Sequence, residues 1–200
     1  MSLLEQAKIH DRTAWEKLVR LYSPLVYEWC RKSGLPPDAA EVVGQEVFAA
    51  VFTSIANFRK DQPGDTFRGW LRRIVQRKRA DYIDSAKRQP KAIGGEEAHV
   101  LFHALPGDNP DAFGETSEEK FALYLRAIEL IQSEFNHVDF AAFIQIVVHE
   151  RPVKDIATEL SISENSVYLA KSRILKHVKG VFNELLPEID TGNSLFNGLE

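Results

Sequence analysis

The sequence predicts an all-α protein in which a flexible linker joins two small helical domains. Apolar residues recur at helical spacing in both halves of the chain, and no convincing run alternates in polarity as a strand would. From about Pro90 to Gly114 the periodicity stops, and Gly, Pro, Asp and Asn accumulate as in a linker. The 200 residues, 44% hydrophobic and 27% charged, suffice for two small folded domains.

These patterns predict four segments. The first domain covers residues 1–90, and an acidic linker containing Gly and Pro covers 91–116. The second domain, which contains a helix-turn-helix, covers 117–186, and a flexible tail covers 187–200.

The first domain is expected to begin with three helices. Ser2 or Asp11 is expected to cap the early helices, whose apolar pattern ends at Gly34. Asp38 precedes Glu41 by three residues, and this spacing predicts a reciprocal capping box at the start of the third helix.

The fourth predicted helix is strongly basic and is expected to begin after a cap at Thr66. Between residues 65 and 91 the chain carries nine Lys and Arg residues against three Asp, which favours a polyanionic partner over a solvated face. Interleaved rings and cations suit single-stranded nucleic acid, because unstacked bases stack on rings while cations follow the backbone. Trp70 lies at the edge of the apolar stripe and is open to either role. The stripe consists of Phe67, Leu71, Ile74, Val75 and Tyr82.

The second domain is expected to contain four helices, with Pro152 separating the second from the third because its ring disfavours helical geometry in the preceding residue. The last two form a helical hairpin, in which the turn "SIS" ends at Ser163, a cap for the final helix. A rotation of about 100° per residue gives this helix a packing face and an outward face. The packing face consists of Val167, Ala170, Ile174 and Val178. The outward face consists of Asn165, Tyr168, Leu169, Ser172, Arg173, Lys176 and Lys179.

That outward face suits the major groove of a DNA duplex, because polar residues near a helix start meet base edges while cations further along meet phosphates. Leu169 has a use if it contacts a thymine methyl group, although isolated exposed leucines are common. Lys171 lies near the packing face and is expected to place only its ammonium group in solvent. An ordinary hairpin with a solvated charged face remains the alternative.

Several classes of protein are disfavoured by composition. The single cysteine, Cys30, permits no internal disulfide and no cysteine-based zinc site, which favours a reducing cytoplasm. An export signal and a run of about 18 apolar residues are both missing, so membrane insertion is not expected. His137, His149 and Glu150 do not form the H-E-x-x-H metal motif, and no Gly-rich phosphate loop is present. We therefore predict no catalytic, metal or cofactor site.

The motif order "AEVVGQEVFAAVF", "NF", "FRGWLRRI", a linker and "DIATELSISENSVYLAKSRIL" resembles bacterial sigma factors of the extracytoplasmic-function (ECF) group. This is the minimal form of the family, with regions two and four only. The resemblance implies a cytoplasmic bacterial protein with two partners, core RNA polymerase and promoter DNA, and it leaves an anti-sigma factor open as a third. It covers about residues 10–89 and 117–183.

The resemblance also implies a division of labour among three sets of residues. The core polymerase would be bound by Gln45, Glu46 and Phe48. The proximal promoter element would be melted and held as a single strand by Asn57, Phe58, Arg59, Trp70, Arg73 and Arg77. The distal element would be read as a duplex by Asn165, Tyr168, Leu169, Ser172, Arg173 and Lys176.

The chain departs from the family pattern at several positions. Val42 stands where an acidic residue is common, Gly44 where a larger apolar residue is common, and Ser161 where the turn often has Gly. Arg77 replaces an asparagine, and Tyr168 and Leu169 replace basic and small residues, so the promoter sequence is not predicted. The alternative function is a helix-turn-helix regulator that binds duplex DNA by itself and does not bind core polymerase.

Overall fold

Helices are the dominant regular structure in the residues that the computed structural model describes, which are 1–61, 65–88 and 116–186. These ranges contain no strand, and the all-α prediction is confirmed. Short 3-10 turns lie at Ile55–Asn57 and at Gln132–Glu134. In chain order the helices are α1 (Leu3–Lys8), α2 (Arg12–Lys32), α3 (Pro37–Ser54), α4 (Phe67–Arg88), α5 (Ser117–Ile131), α6 (His137–Val147), α7 (Val153–Glu159) and α8 (Glu164–Phe182).

The chain divides into two compact units. One comprises Ala7–Glu115, and the other comprises Met1–Gln6 together with Thr116–Glu200. The predicted linker, apart from Thr116, and the predicted tail lie outside the described residues, so the four predicted segment boundaries remain predictions.

In the unit of Ala7–Glu115, helices α2, α3 and α4 pack against one another. The largest side chains buried there are Trp29, Tyr22 and Phe67. Helix α2 runs through Pro24 without interruption and ends before Gly34, whose φ of 93° lies in the left-handed region that glycine adopts without strain. The stop predicted at Gly34 is therefore confirmed.

Four of the five predicted helix caps are confirmed, namely the three given next and Ser163 at the start of α8. Ser2 Oγ accepts from the Glu5 amide, Asp11 Oδ1 from the Ala14 amide, and Thr66 Oγ1 from the Gly69 amide. The predicted capping box of Asp38 and Glu41 is wrong, because α3 already begins at Pro37 and its N-cap residue makes no side-chain cap hydrogen bond. Proline suits a first helical position, since it has no N–H group to satisfy there and its φ is fixed near the helical value.

Within the described residues, one segment is long and apolar enough to cross a membrane by length and composition, namely α3 with its following turn (Pro37–Asn57). The sequence did not lead us to expect such a segment. Its residues Val43, Val47 and Val51 are fully buried, and α3 packs against α2 and α4, as a core helix does.

The other unit contains helices α5 to α8, and α8 packs mainly on α6 and α7. Around the hairpin formed by α7 and α8, a buried cluster joins Ala142, Ile156, Ala157, Val167 and Ala170. The turn between the two helices is closed by the Ile162 amide, which donates to the Ala157 carbonyl at 3.0 Å. Ser161 occupies the left-handed region of this turn with a φ of 53°.

Candidate nucleic-acid interface

Helix α8 presents its two faces as its sequence predicts. Its start is fixed by the predicted cap, because Ser163 Oγ accepts from the Ser166 amide at 3.1 Å. The four residues of the predicted packing face are all at most 1% exposed, and the seven residues of the predicted outward face are all exposed. Lys171 is half-buried, in keeping with its predicted position near the packing face.

Two large apolar side chains stand on this outward face. Tyr168 is 55% exposed and Leu169 is 52% exposed, whereas the residues of the packing face are at most 1% exposed. They lie one turn before Ser172 and Arg173, so a duplex lying along the helix would meet apolar surface and cations together. The face is therefore able to combine contacts to a thymine methyl group with hydrogen bonds to bases or phosphates.

Arg173 is held by an acid that sequence reasoning did not identify. Its Nη1 donates to Oδ2 of Asp139, which lies in the first turn of α6. One turn further along α8, His177 Nε2 and Glu134 Oε2 are 2.7 Å apart, and the Phe135 ring meets His177 edge-on. No sequence signal indicates these pairs, because each joins residues more than 30 positions apart.

A cluster of rings connects the turn after α3 to the start of α4. The Phe58 ring lies 5.6 Å from Phe67 and 5.2 Å from Trp70, and Phe67 lies 5.3 Å from Tyr22. Phe58 is only 4% exposed, whereas Trp70 is partly exposed. Trp70 is thus the ring of this cluster that is accessible for stacking, and Phe58, which the resemblance included among the strand contacts, supports it from beneath.

The other four predicted strand contacts are exposed polar residues. Arg73 and Arg77 are exposed and lie three and seven residues beyond it, on the same face of α4. Asn57 and Arg59 are exposed on the neighbouring turn, where Arg59 Nη1 donates to the Phe58 carbonyl. Five of the six predicted strand contacts are therefore accessible, and the buried one, Phe58, lies against Trp70.

The basic character of α4 is only partly a surface property. Two of its arginines, Arg68 and Arg79, are buried. The guanidinium carbons of Arg68 and Arg72 lie 5.9 and 4.9 Å from the Trp29 ring, within range of a cation–π interaction. The count of nine cations therefore overstates the charge that α4 offers to a polyanion.

Helix α3 carries the third set of predicted residues. Gln45 and Glu46 are exposed, and Phe48 is half-buried. Glu46 Oε2 lies 3.7 Å from Lys78 Nζ of α4. Phe52 extends this face by one turn, is exposed, and contacts Trp15 at 5.0 Å between ring centroids. Helical spacing from Phe48 would have identified Phe52, which sequence reasoning left out.

The described residues contain no group of three or more His, Cys, Asp or Glu side chains able to hold a metal ion. Burial raises the pKa of the Cys30 thiol to about 11, and the charge of Arg79 offsets part of that increase. The thiol is therefore protonated at neutral pH and has little nucleophilic character.

Comparisons with known proteins find a family model and a curated relative that are similar to part of the chain. The family model described as sigma-70 region 2 matches residues 18–89. The ECF RNA polymerase sigma factor SigE of Mycolicibacterium smegmatis is 34% identical over 99 residues, which are 49% of this chain and 35% of SigE. The match thus spans about a third of the length of that relative.

Among solved structures, a chain of CnrH in complex with the cytosolic domain of CnrY is 17% identical. The alignment covers 88% of this chain and 92% of that chain, with a TM-score of 0.36.

Proposed function

We propose that the protein directs transcription initiation as a sigma factor, because residues 18–89 match the sigma-70 region 2 family model and 99 residues of the chain are 34% identical to an ECF RNA polymerase sigma factor. It would bind core RNA polymerase, open the proximal promoter element and read the distal element, without catalysis of its own. One observation carries the proposal. The matched residues include both the exposed Gln45 and Glu46 face of α3 and the ring and cation surface around Trp70.

The outward face of α3 is proposed as the contact to core polymerase. Glu46→Lys reverses a charge on this face and is expected to abolish capture of the chain by core polymerase in a pull-down. The substitution also breaks the ion pair with Lys78, so Lys78→Gln is the matched control, since it breaks the same pair and keeps Glu46. If core polymerase contacts Glu46 itself, Glu46→Lys should lose capture and Lys78→Gln should keep it. Capture retained by Glu46→Lys refutes this face as the contact.

The surface around Trp70 is proposed to hold one strand of the opened proximal element. Trp70→Ala removes the accessible ring and is expected to lower promoter opening about 5-fold or more, because stacking on one base contributes roughly 1–3 kcal/mol. Trp70→Phe keeps a stacking ring and should restore most of the opening. Permanganate reactivity of unpaired thymines reports the opened strand. Equal promoter opening by Trp70→Ala and by the wild-type protein would exclude Trp70 from this role.

Helix α8 is proposed to read the distal element as a duplex. Its support is the exposed face formed by Tyr168, Leu169 and Arg173, together with the capped start of the helix. A cytoplasmic location and an anti-sigma partner belong to the same proposal and rest on the family resemblance.

Runoff transcription with core polymerase on genomic promoter fragments tests the function as a whole. We expect at least one transcript that requires this protein. A regulator that binds duplex DNA by itself would instead bind promoter fragments tightly without core polymerase and would fail the pull-down. Independence of every transcript from this protein would refute the sigma function.

A further inference from the structure

We propose that Asp139 is a positioning residue that orients Arg173 for reading one base pair of the duplex. The inference rests on the proposed function of α8 and adds a determinant of sequence specificity that lies on a different helix. Its basis is the hydrogen-bonded ion pair between the two side chains.

The carboxylate of Asp139 is the better fixed member of this pair. Its side chain is 19% exposed, whereas that of Arg173 is 58% exposed. Asp139 occupies the first turn of α6, where its backbone amide donates to Oδ1 of the capping residue Asn136 at 2.8 Å. Helix α6 in turn packs along α8. The acid is therefore part of the folded scaffold, while the guanidinium group projects from it toward solvent.

This geometry suits recognition of a base more than general attraction to phosphates. A guanidinium group carries five N–H donors in a planar fork, so the group can bind a carboxylate at one edge and keep further donors for a partner such as the O6 and N7 atoms of guanine. Fixing the long side chain before binding lowers the rotamer entropy that is lost on binding. The nearby negative charge also weakens attraction of Arg173 to phosphate at any sequence.

A second carboxylate contact on the same side of α8 provides a matched control. Glu134 pairs with His177, one turn beyond Arg173, at 2.7 Å. His177 is outside the predicted set of base contacts. Glu134→Gln therefore removes the charge of an acid that contacts α8 at His177 and keeps the hydrogen bond between Arg173 and Asp139.

The experiment uses the full chain assembled with core polymerase. Selection from a random duplex library with wild-type protein defines the distal sequence, and Arg173→Ala then identifies the base pair whose discrimination depends on Arg173. Asp139→Ala is expected to lower discrimination at that base pair about 10-fold, within the range of roughly 1–3 kcal/mol that a bidentate base contact supplies. Asp139→Asn keeps an acceptor oxygen and should cause a smaller loss at the same base pair.

A double-mutant cycle separates positioning from a general effect on stability. In the Arg173→Ala background, Asp139→Ala should cause no further loss of discrimination, because the side chain that it positions is missing. Glu134→Gln should leave that base pair unaffected. Asp139→Asn, which preserves the shape of the side chain, keeps the test valid if the alanine variant unfolds.

Three results would overturn the inference. They are unchanged discrimination in both Asp139 variants, additive losses in the cycle, or a uniform gain in affinity for every duplex, which would make Asp139 a brake on DNA binding. Failure of the wild-type complex to select any sequence is a different result, because it overturns the proposed function of α8 and this inference with it.

Discussion

Ser161, in the turn between α7 and α8, gives a sharp test of the backbone geometry. Its φ of 53° lies in the left-handed region, where a side chain destabilises the backbone by roughly 1–2 kcal/mol. The Ser161→Gly substitution removes that strain, while the extra freedom of glycine in the unfolded chain offsets roughly 0.5–1 kcal/mol. We therefore expect a net stabilisation of about 0.5–1 kcal/mol.

A serine-to-glycine substitution at Ser172, in the same hairpin, should instead lower the stability. Ser172 is an exposed residue in the middle of α8, where glycine is less favourable than serine by about 0.5 kcal/mol. A change of 1 kcal/mol shifts the melting temperature of a domain of this size by roughly 4–8 °C. We thus expect Ser161→Gly to raise the melting temperature by about 2–8 °C and Ser172→Gly to lower it by about 2–4 °C.

Differential scanning calorimetry of the full chain measures both changes. If two unfolding transitions are seen, Gly44→Ala assigns them, because this substitution should shift only the transition of the unit Ala7–Glu115. A lower melting temperature for Ser161→Gly would refute the left-handed conformation at Ser161. A higher melting temperature for Ser172→Gly would refute the helical position of that residue.

Three further predictions concern single positions. Ser163→Ala should destabilise the unit containing α8 by about 1 kcal/mol in urea unfolding, because it removes the acceptor for the Ser166 amide; an unchanged midpoint would exclude the cap. Gly44→Ala should raise the unfolding free energy of its unit by about 1 kcal/mol, since a Cβ there would meet no atom closer than 3.9 Å; destabilisation would contradict the space seen beside α3. The raised pKa of Cys30 means that the folded state holds the thiol proton more tightly than the unfolded chain does, so unfolding free energy should fall as pH rises from about 9 to 11. Cys30→Ala should lack this part of the pH dependence. If the unfolding free energies of the two proteins fall equally with pH, the prediction is wrong.

Most of the local structure follows from the sequence alone. Helical periodicity predicts the two faces of α8, and the caps at Asp11, Thr66 and Ser163 follow from side chains that accept from the first turn of a helix. The family resemblance is confirmed by the match of residues 18–89 and by the similarity to SigE. The residue-level assignments to polymerase and DNA remain predictions, because neither partner is present.

The features that the sequence did not predict depend on tertiary packing. The charge of an arginine on α4 does not predict whether its side chain points to solvent. A long side chain can also stack on a buried ring, as Arg72 does on Trp29. The pairing of Arg173 with Asp139 depends on the way in which α6 lies along α8. At Asp38 two local signals competed, and the proline at the first helical position determined the helix start.

The ring cluster beneath Trp70 makes ligand binding and folding thermodynamically linked. The accessible ring rests on Phe58 and Phe67, and Phe67 contacts Tyr22 in the centre of the unit. A strand that stacks on Trp70 would bind only the folded arrangement and would therefore raise the melting temperature of this unit as its concentration increases. By the same linkage, a core substitution such as Tyr22→Leu would lower the apparent affinity for an opened strand once an appreciable fraction of the unit is unfolded.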